Sequence, residues 1–347
     1  MQVYIHILVW NDRRYLPDLF DSLEKQTYQN ITVRVLDNGS TDDTVEYIKH
    51  YHPHSLVICN TKNLGFAEGH NQLVRFTLDH LPTENTDAAI MWMNSDMILK
   101  DDAVERLVEA RLAHPEISAF QPKLYRAFCE NVGDEVLEET VKSDIIDTTG
   151  LCVDRAFRMS DRGAGEIDTG QYDNKLDIFA PSGTIALLPI SVIQDTMMDG
   201  EMFDKDFFAY REDCDFAWRL RKLGHKALFV PRACAHHYRG MYGKHKQTLW
   251  SRLKNRQGQN PFFSAYSTRN QLFVLFKNLT FFDALFYFPW IAFSEGGRIL
   301  YALVFEPQTR NRLLGGISLL PSMFKKRRQN LKRARVAERE IRAYVNR

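Results

Sequence analysis

Short apolar runs alternate with amphipathic stretches through the first third of the chain. Residues 3–9 form one such run, with the length and β-branched character of a buried parallel strand. Leu16, Leu19, Phe20 and Leu23 then recur at i, i+3, i+4 and i+7, which predicts an amphipathic helix. Runs at 31–36, 56–59 and 88–93 predict three further strands, with helical patterns between them. A helix is predicted over 102–113, its inner face formed by Val104, Leu107, Val108, Arg111 and Leu112. Such alternation predicts an α/β fold, a mostly parallel sheet with helices on both faces. Ligands of such sheets bind beyond the carboxyl ends of the strands, where Asp37, Asn63 and Asp96 fall.

The alternation stops over 123–180, which is polar and rich in Gly and Asp. A hairpin around 146–159 and a long loop through 162–173 are expected there, and 184–188 returns to a strand. An aromatic run then ends abruptly in Glu212 and Asp213, and Phe216, Leu220 and Leu223 follow at helical spacing up to Gly224. A single carboxylate would suffice to cap that helix. Here Asp204, Asp206, Glu212, Asp213 and Asp215 crowd together among aromatics, which is expected to raise their proton affinity and suit one of them as a general base. A strand over 226–230 leads on to His236 and His237, so strand–helix–strand geometry can return a histidine to the acids.

Beyond Tyr238 the pattern changes. Residues 239–262 are rich in Lys, Arg and Gln and read as a mobile link. Aromatics dominate 262–305, which Gly296, Gly297, Pro307, Gly315 and Gly316 should divide into short helices, and a basic helix is expected from Lys325.

Composition sharpens this picture in two places. The net charge of +1 hides an asymmetry, because residues 325–347 hold ten Lys/Arg against two Glu. Together with the aromatics this suits contact with an anionic membrane surface. No nucleic-acid-binding module is present, so nucleic acid is not expected as a partner. The five cysteines, without CxxC spacing, suggest reduced thiols in a cytoplasmic setting. The first residues have neither a basic region nor a long apolar run, so no signal peptide is expected, and no apolar stretch is long enough to predict a spanning helix.

Residues 204–210, the Glu212-Asp213 pair, Trp218-Arg219, Gly224, Val230-Pro231 and the histidine pair together resemble the family 2 glycosyltransferases of GT-A fold, especially their rhamnosyltransferase-like branch. Asp37-Asn38-Gly39-Ser40, the loop from Asn60 to Asn71, and Asn94-Ser95-Asp96 in place of an Asp-x-Asp motif extend the resemblance over residues 3–240. It implies a catalytic domain over 1–240, with a nucleotide-binding half (1–122) and an acceptor half (123–240), followed by a helical C-terminal region over 241–347. The reaction implied is inverting transfer of a sugar from a nucleotide-diphospho-sugar donor. Rhamnose from dTDP-rhamnose comes first, with UDP-hexose or UDP-galactofuranose as alternatives. The acceptor implied is a cell-surface polysaccharide or lipid-linked glycan at the inner face of the cell membrane.

The resemblance also implies roles. Asp213 would be the catalytic base. Asp96 and His237 would hold Mg²⁺ or Mn²⁺, with His236 as the register alternative. Trp10, Asn11, Asp37, Asn38, Asn63, Gly65, Asn71 and Asn94 would line the nucleotide, and Arg162, Glu212 and Trp218 the acceptor. The departure at Asn94 leaves Asp96 as the one acid of that motif. Two rivals stand beside this reading. A nucleotidyltransferase would want a glycine-rich signature after the first strand, where this chain has Trp10-Asn11-Asp12-Arg13-Arg14. A non-catalytic glycan-binding protein would have no need for Asp96, Asp213 and His237 to converge.

Overall fold

A computed structural model describes residues 1–82, 87–131, 138–238 and 261–345, without the side chains of 129–131 and 138–139. The expected link over 239–262 therefore lies almost wholly outside the described residues. The first half runs β1 (Gln2–Val9), α1 (Leu16–Glu24), β2 (Ile31–Asp37), α2 (Thr44–Tyr51), β3 (Leu56–Cys59), α3 (Phe66–Asp79), β4 (Ala88–Asn94), β5 (Met97–Leu99) and α4 (Ala103–Ala113). It continues through β6 (Ala119–Asn131), β7 (Glu138–Thr148), β8 (Leu151–Val153), β9 (Met159–Asp161), β10 (Asp177–Ile178), β11 (Ile185–Pro189), α5 (Ile190–Thr196), α6 (Glu212–Lys222) and β12 (Ala227–Tyr238). The C-terminal helices are α7 (Pro261–Asn278), α8 (Phe281–Phe286), α9 (Phe288–Ile291), α10 (Gly297–Phe305), α11 (Pro307–Gly316), α12 (Leu320–Arg333) and α13 (Glu338–Arg342).

The main sheet has the order β10-β12-β6-β11-β4-β1-β2-β3, with β5 on β12 and β7 on β6. β3, β2, β1 and β4 are mutually parallel, as are β6 and β12, whereas β11 is antiparallel to both of its neighbours. Alternate side chains of β1 serve two cores. Val3, Ile5, Ile7 and Val9 pack with Leu16, Leu19, Ile48 and Val104 on one face. Tyr4, with Ile90 and Trp92 of β4, faces Val74 of α3 and Phe216 and Trp218 of α6 on the other. Burial of this kind contributes about 1.5–3 kcal/mol per large apolar side chain. Phe273, Val274 and Leu275 of α7, Met323 of α12 and Ile341 of α13 join that second core, so the C-terminal helices pack directly on the sheet domain.

Several expectations need correction. Residues 123–148 are mostly strand, because β6 and β7 form a long antiparallel pair where a break was expected. The expected hairpin near 146–159 is the pair β8–β9. Leu112 does not join the inner face of α4 but is exposed. Gly296 and Gly297 do not end a helix. A π-helical turn over Ala292–Gly296 joins α9 to α10, whereas the helix does break at Glu306-Pro307, as expected.

Candidate active site

The carboxyl ends of β1, β2 and β4 carry the first group of polar residues. Asp37, buried at the end of β2, accepts the amides of Gly39 and Ser40. Asn38 donates to Asn63 Oδ1 and to the Gly65 carbonyl, both at 3.1 Å, and accepts from the Leu64 amide. Gly65 takes φ +88°, and a Cβ there would lie 2.4 Å from the Phe208 carbonyl oxygen, so only glycine fits. Trp10 is half exposed, and Asn11 accepts from the Thr41 amide. These residues form one hydrogen-bonded rim above β1–β3. Asn71 lies elsewhere. Its side chain is buried and spent on the backbone of Met202 and Phe203, which corrects its place at the nucleotide.

Asn94 ends β4 and donates its amide to the Thr184 carbonyl. Ser95 donates to Asp12 Oδ2 at 2.6 Å. Asp96 Oδ1 lies 3.2 Å from His237 Nε2, an ion-pair contact rather than an aligned hydrogen bond. Antiparallel pairing of β12 with β5 produces this, since His237 sits opposite Met97. The other ring nitrogen, Nδ1, contacts Asp147 Oδ2 at 2.8 Å. Burial alone would lower the pKa of His237, but Asp96 and Asp147 outweigh it and push it up to about 10. His236 points to the other side, 5.5 Å from the Tyr125 ring, and burial takes its pKa down to about 4. The geometry thus singles out His237 as the histidine beside Asp96.

Among the described residues no group of three His, Cys, Asp or Glu is arranged to hold a metal ion. Asp96 and His237 nevertheless fit a two-ligand share of one. Asp96 Oδ1 is buried without a hydrogen bond among the described residues, and Asp147 fixes the imidazole so that Nε2 faces Asp96. Two flanking carboxylates favour a cation at that nitrogen, whether a proton or a metal ion.

Asp213 lies in the first turn of α6. Its Oδ2 accepts the Gly183 amide at 3.1 Å, and Gly183 precedes Thr184, the partner of Asn94. Asp213 is thereby tied to the end of β4. Glu212 is buried, with Oε2 lacking a hydrogen bond among the described residues. Burial, then the neighbouring charge of Asp213, raise its proton affinity well above the usual carboxylate range. Phe208, Tyr210 and Arg211, just before the pair, all have positive φ. Each such non-glycine residue costs about 1–2 kcal/mol, a strain that surrounding contacts must hold in place.

The acid crowd behaves otherwise than its density suggests. Asp204 contacts Lys277 and Lys326, Asp206 contacts Lys326, and Asp215 contacts Lys277. Burial pushes Asp204 up, but the two lysines outweigh it and hold it well below the ordinary range. Glu212 shows the raised affinity expected for the cluster, and Asp204 the opposite.

Two expected acceptor residues are also placed differently. Trp218 is 1 % exposed and packs against Phe157 and Phe179 in the core. Arg162 donates to Thr149 and to the Lys175 carbonyl, inside a loop held down by Lys123 and Tyr125 on Asp168. Asp12, Asp147 and Gly183 were missed as site residues. Asp12 adjoins Trp10 and Asn11, so nearness to a strand end could have flagged it. Asp147 lies in a stretch with no periodic signal, and Gly183 before a strand reads as a plain turn.

Residues 4–151 match the model of glycosyl transferase family 2, and residues 89–294, more than half of the chain, match that of glycosyl transferase family group 2. The chain is a family 2 glycosyltransferase. Among solved structures, this transferase is similar in fold to GalNAc-T7 bound to UDP, GalNAc and Mn²⁺. The TM-score is 0.60 at 13% identity, over 86% of this chain and 51% of that one. It therefore spans about half the length of that protein. It is also similar to the mannosyltransferase PcManGT from Pyrobaculum calidifontis, in complex with GDP-Man and Mn²⁺. There the TM-score is 0.50 at 14% identity, over 96% of this chain and 85% of that one. At such identities the likeness shows the GT-A-like fold alone. No curated protein matches the chain.

Proposed function

We propose that this transferase moves a sugar from a nucleotide-diphospho-sugar to a hydroxyl acceptor with inversion, and that Asp213 is the base. The observation that carries this is the link from Asp213 through Gly183 and Thr184 to Asn94, beside the Asp96–His237 pair. Asp213 accepts the proton of the acceptor hydroxyl as that oxygen bonds to the anomeric carbon, and the nucleoside diphosphate leaves with the bonding electron pair. Asp96 and His237 would hold Mg²⁺ or Mn²⁺, which would offset the charge of the departing diphosphate. Trp10, Asn11, Asp37, Asn38, Asn63 and Gly65 make the nucleotide rim, and Asn94 closes it. Asp37 would accept the imide N–H of a uracil or thymine ring. The donor proposed is dTDP-rhamnose, on the resemblance of the motifs and the 162–173 loop; a UDP-hexose or UDP-galactofuranose is the second reading. Incubation with dTDP-rhamnose, UDP-glucose, UDP-galactose and UDP-galactofuranose, scored by nucleoside diphosphate release, tests it. TDP release from the first supports the proposal, and release from a UDP donor alone moves it to the second reading. No release from any of them, with acceptor glycans present, refutes it.

The proposal extends to location, with a surface glycan or lipid-linked glycan as acceptor at the inner membrane face. None of the helices described is long and apolar enough to cross a membrane. Phe281, Phe282, Phe286, Phe288 and Phe293 are 71, 76, 68, 63 and 89 % exposed, and no charged residue lies between Asp283 and Glu295. An exposed apolar surface of that kind suits insertion at a bilayer interface. The basic tail contributes less than its charge suggests. Lys326 is paired with Asp204 and Asp206, Arg333 donates to the Asp195 and Met197 carbonyls, and Arg335 is paired with Asp195.

A further inference from the structure

Helix α7, far along the chain from the acid pair, supplies the hydrogen-bond donors of the segment that precedes it. Residues 208–211 belong to no helix or strand, so their buried carbonyls need other partners. Asn270 is fully buried, and its Nδ2 donates to the carbonyls of Phe207 at 2.9 Å, Ala209 at 2.9 Å and Tyr210 at 2.7 Å. Arg269 Nε and Nη2 donate to Asn270 Oδ1 at 2.9 and 2.8 Å, which fixes the amide with its NH₂ toward the segment. Arg269 Nη2 also donates to the carbonyls of Asp206 and Phe207. The Ala67 amide, in the first turn of α3, donates to the Phe208 carbonyl at 3.1 Å. The segment is therefore held by α7 and the first turn of α3, in the conformation that carries three positive φ angles.

We infer that Asn270, oriented by Arg269, is a positioning residue for Asp213. Strained backbone persists only where its surroundings over-determine it. Asn270 binds three of the carbonyls immediately before Glu212-Asp213, so it fixes where α6 begins and where its first-turn carboxylate lies. The helical C-terminal region is, on this inference, part of the catalytic apparatus and not only a docking surface. The inference rests on the proposed role of Asp213, so its test has an arm independent of turnover.

Asn270→Asp keeps the side-chain shape but replaces the donor NH₂ with an acceptor. In the full-length protein, amide hydrogen exchange over 206–213 should rise about tenfold or more, while β1 and β4 stay protected. Turnover of the donor found active for the wild type should fall by roughly 10²-fold, with donor KM within about threefold, because misplacement by about 1 Å costs that much. Asn330→Ala is the control. Asn330 is a buried amide that bonds Asn278 and does not touch the segment, so it should lower Tm without changing kcat. Unchanged exchange over 206–213 in Asn270→Asp would overturn the clasp. A kcat loss no larger than that of Asn330→Ala would overturn the positioning role. Should Asn270→Asp not fold, Arg269→Lys, which removes the fork that orients the amide, is read by the same criteria. A wild type inactive on every donor would strike the proposed function, and the exchange arm would still decide the clasp.

Discussion

Gly183 donates its amide to Asp213 Oδ2, and a Cβ built on Gly183 would lie 3.0 Å from Asp213 Cβ and 3.2 Å from its Cγ. Gly183 shows no positive φ, so alanine suits its backbone and the crowding falls on the carboxylate. Gly183→Ala should therefore shift Asp213 by a few tenths of an ångström. The expected result is a loss of about tenfold or more in kcat with little change in Tm, measured by steady-state kinetics and thermal unfolding. Unchanged kcat would show that the place of Asp213 does not limit the reaction.

Asp213→Asn keeps the shape and one of the two backbone hydrogen bonds that the carboxylate accepts, from Gly183 and Cys214, but cannot take a proton. It should fold, still bind nucleotide and lose about 10²–10⁴-fold in kcat. If it turns over near the wild-type rate while Glu212→Gln is dead, the base is Glu212. If both stay active, the segment is only a helix start.

Glu212→Gln also carries a pH prediction. The folded-state pKa of Glu212 lies well above its unfolded value, chiefly through burial. Its contribution to stability is then fully present below the unfolded carboxylate pKa of about 4.3 and is lost as pH rises toward the folded value. The wild type should lose Tm across that window. Glu212→Gln should flatten the slope and raise Tm at neutral pH. An identical pH profile in the two proteins would mean that Glu212 is solvated.

Asp96→Ala and His237→Ala should each abolish turnover, and EDTA should do so reversibly, with restoration by Mg²⁺ or Mn²⁺. Binding of free metal without nucleotide should be weak, since few acids adjoin the pair; isothermal titration of Mn²⁺ with and without TDP or UDP measures this. Full activity in EDTA would mean that protein cations carry the leaving diphosphate.

Phe282→Glu and Phe293→Glu alter the two most exposed phenylalanines of the apolar helices. Burying such a ring is worth about 1.5–3 kcal/mol, so each change should weaken sedimentation with liposomes by tenfold or more. Added salt should weaken binding to anionic vesicles less than these changes do, because much of the basic tail is paired within the protein. Equal binding by variants and wild type would remove the membrane contact.

The strands β1, β2 and β4 were legible because each is a short apolar run, and the burial of such a run is a property of its own residues. The helices α1 and α4 were legible from periodicity for the same reason. β6 and β7 were not, since Lys123, Arg126 and Lys142 interrupt the apolar pattern and the strands are defined by pairing with each other and with distant β12. Trp218 and Asn71 show the opposite failure. Their residue types suit a binding site, but packing turned one into core and the other into a backbone clamp.

The sequence by itself determined the parallel half of the sheet, the acid pair at a helix start and the family to which these motifs belong. Such features are written in local spacing and residue type. Tertiary structure alone decided which histidine meets Asp96, because neighbouring strand residues face opposite sides and only the register of β12 against β5 selects His237. It also decided the partners of the acid crowd. Lys277 and Lys326, remote in the chain, pair with Asp204, Asp206 and Asp215, while Glu212 is buried with Oε2 lacking a hydrogen bond among the described residues. A carboxylate's proton affinity follows from the charges and solvent around it, and those are set by what the folded chain brings near.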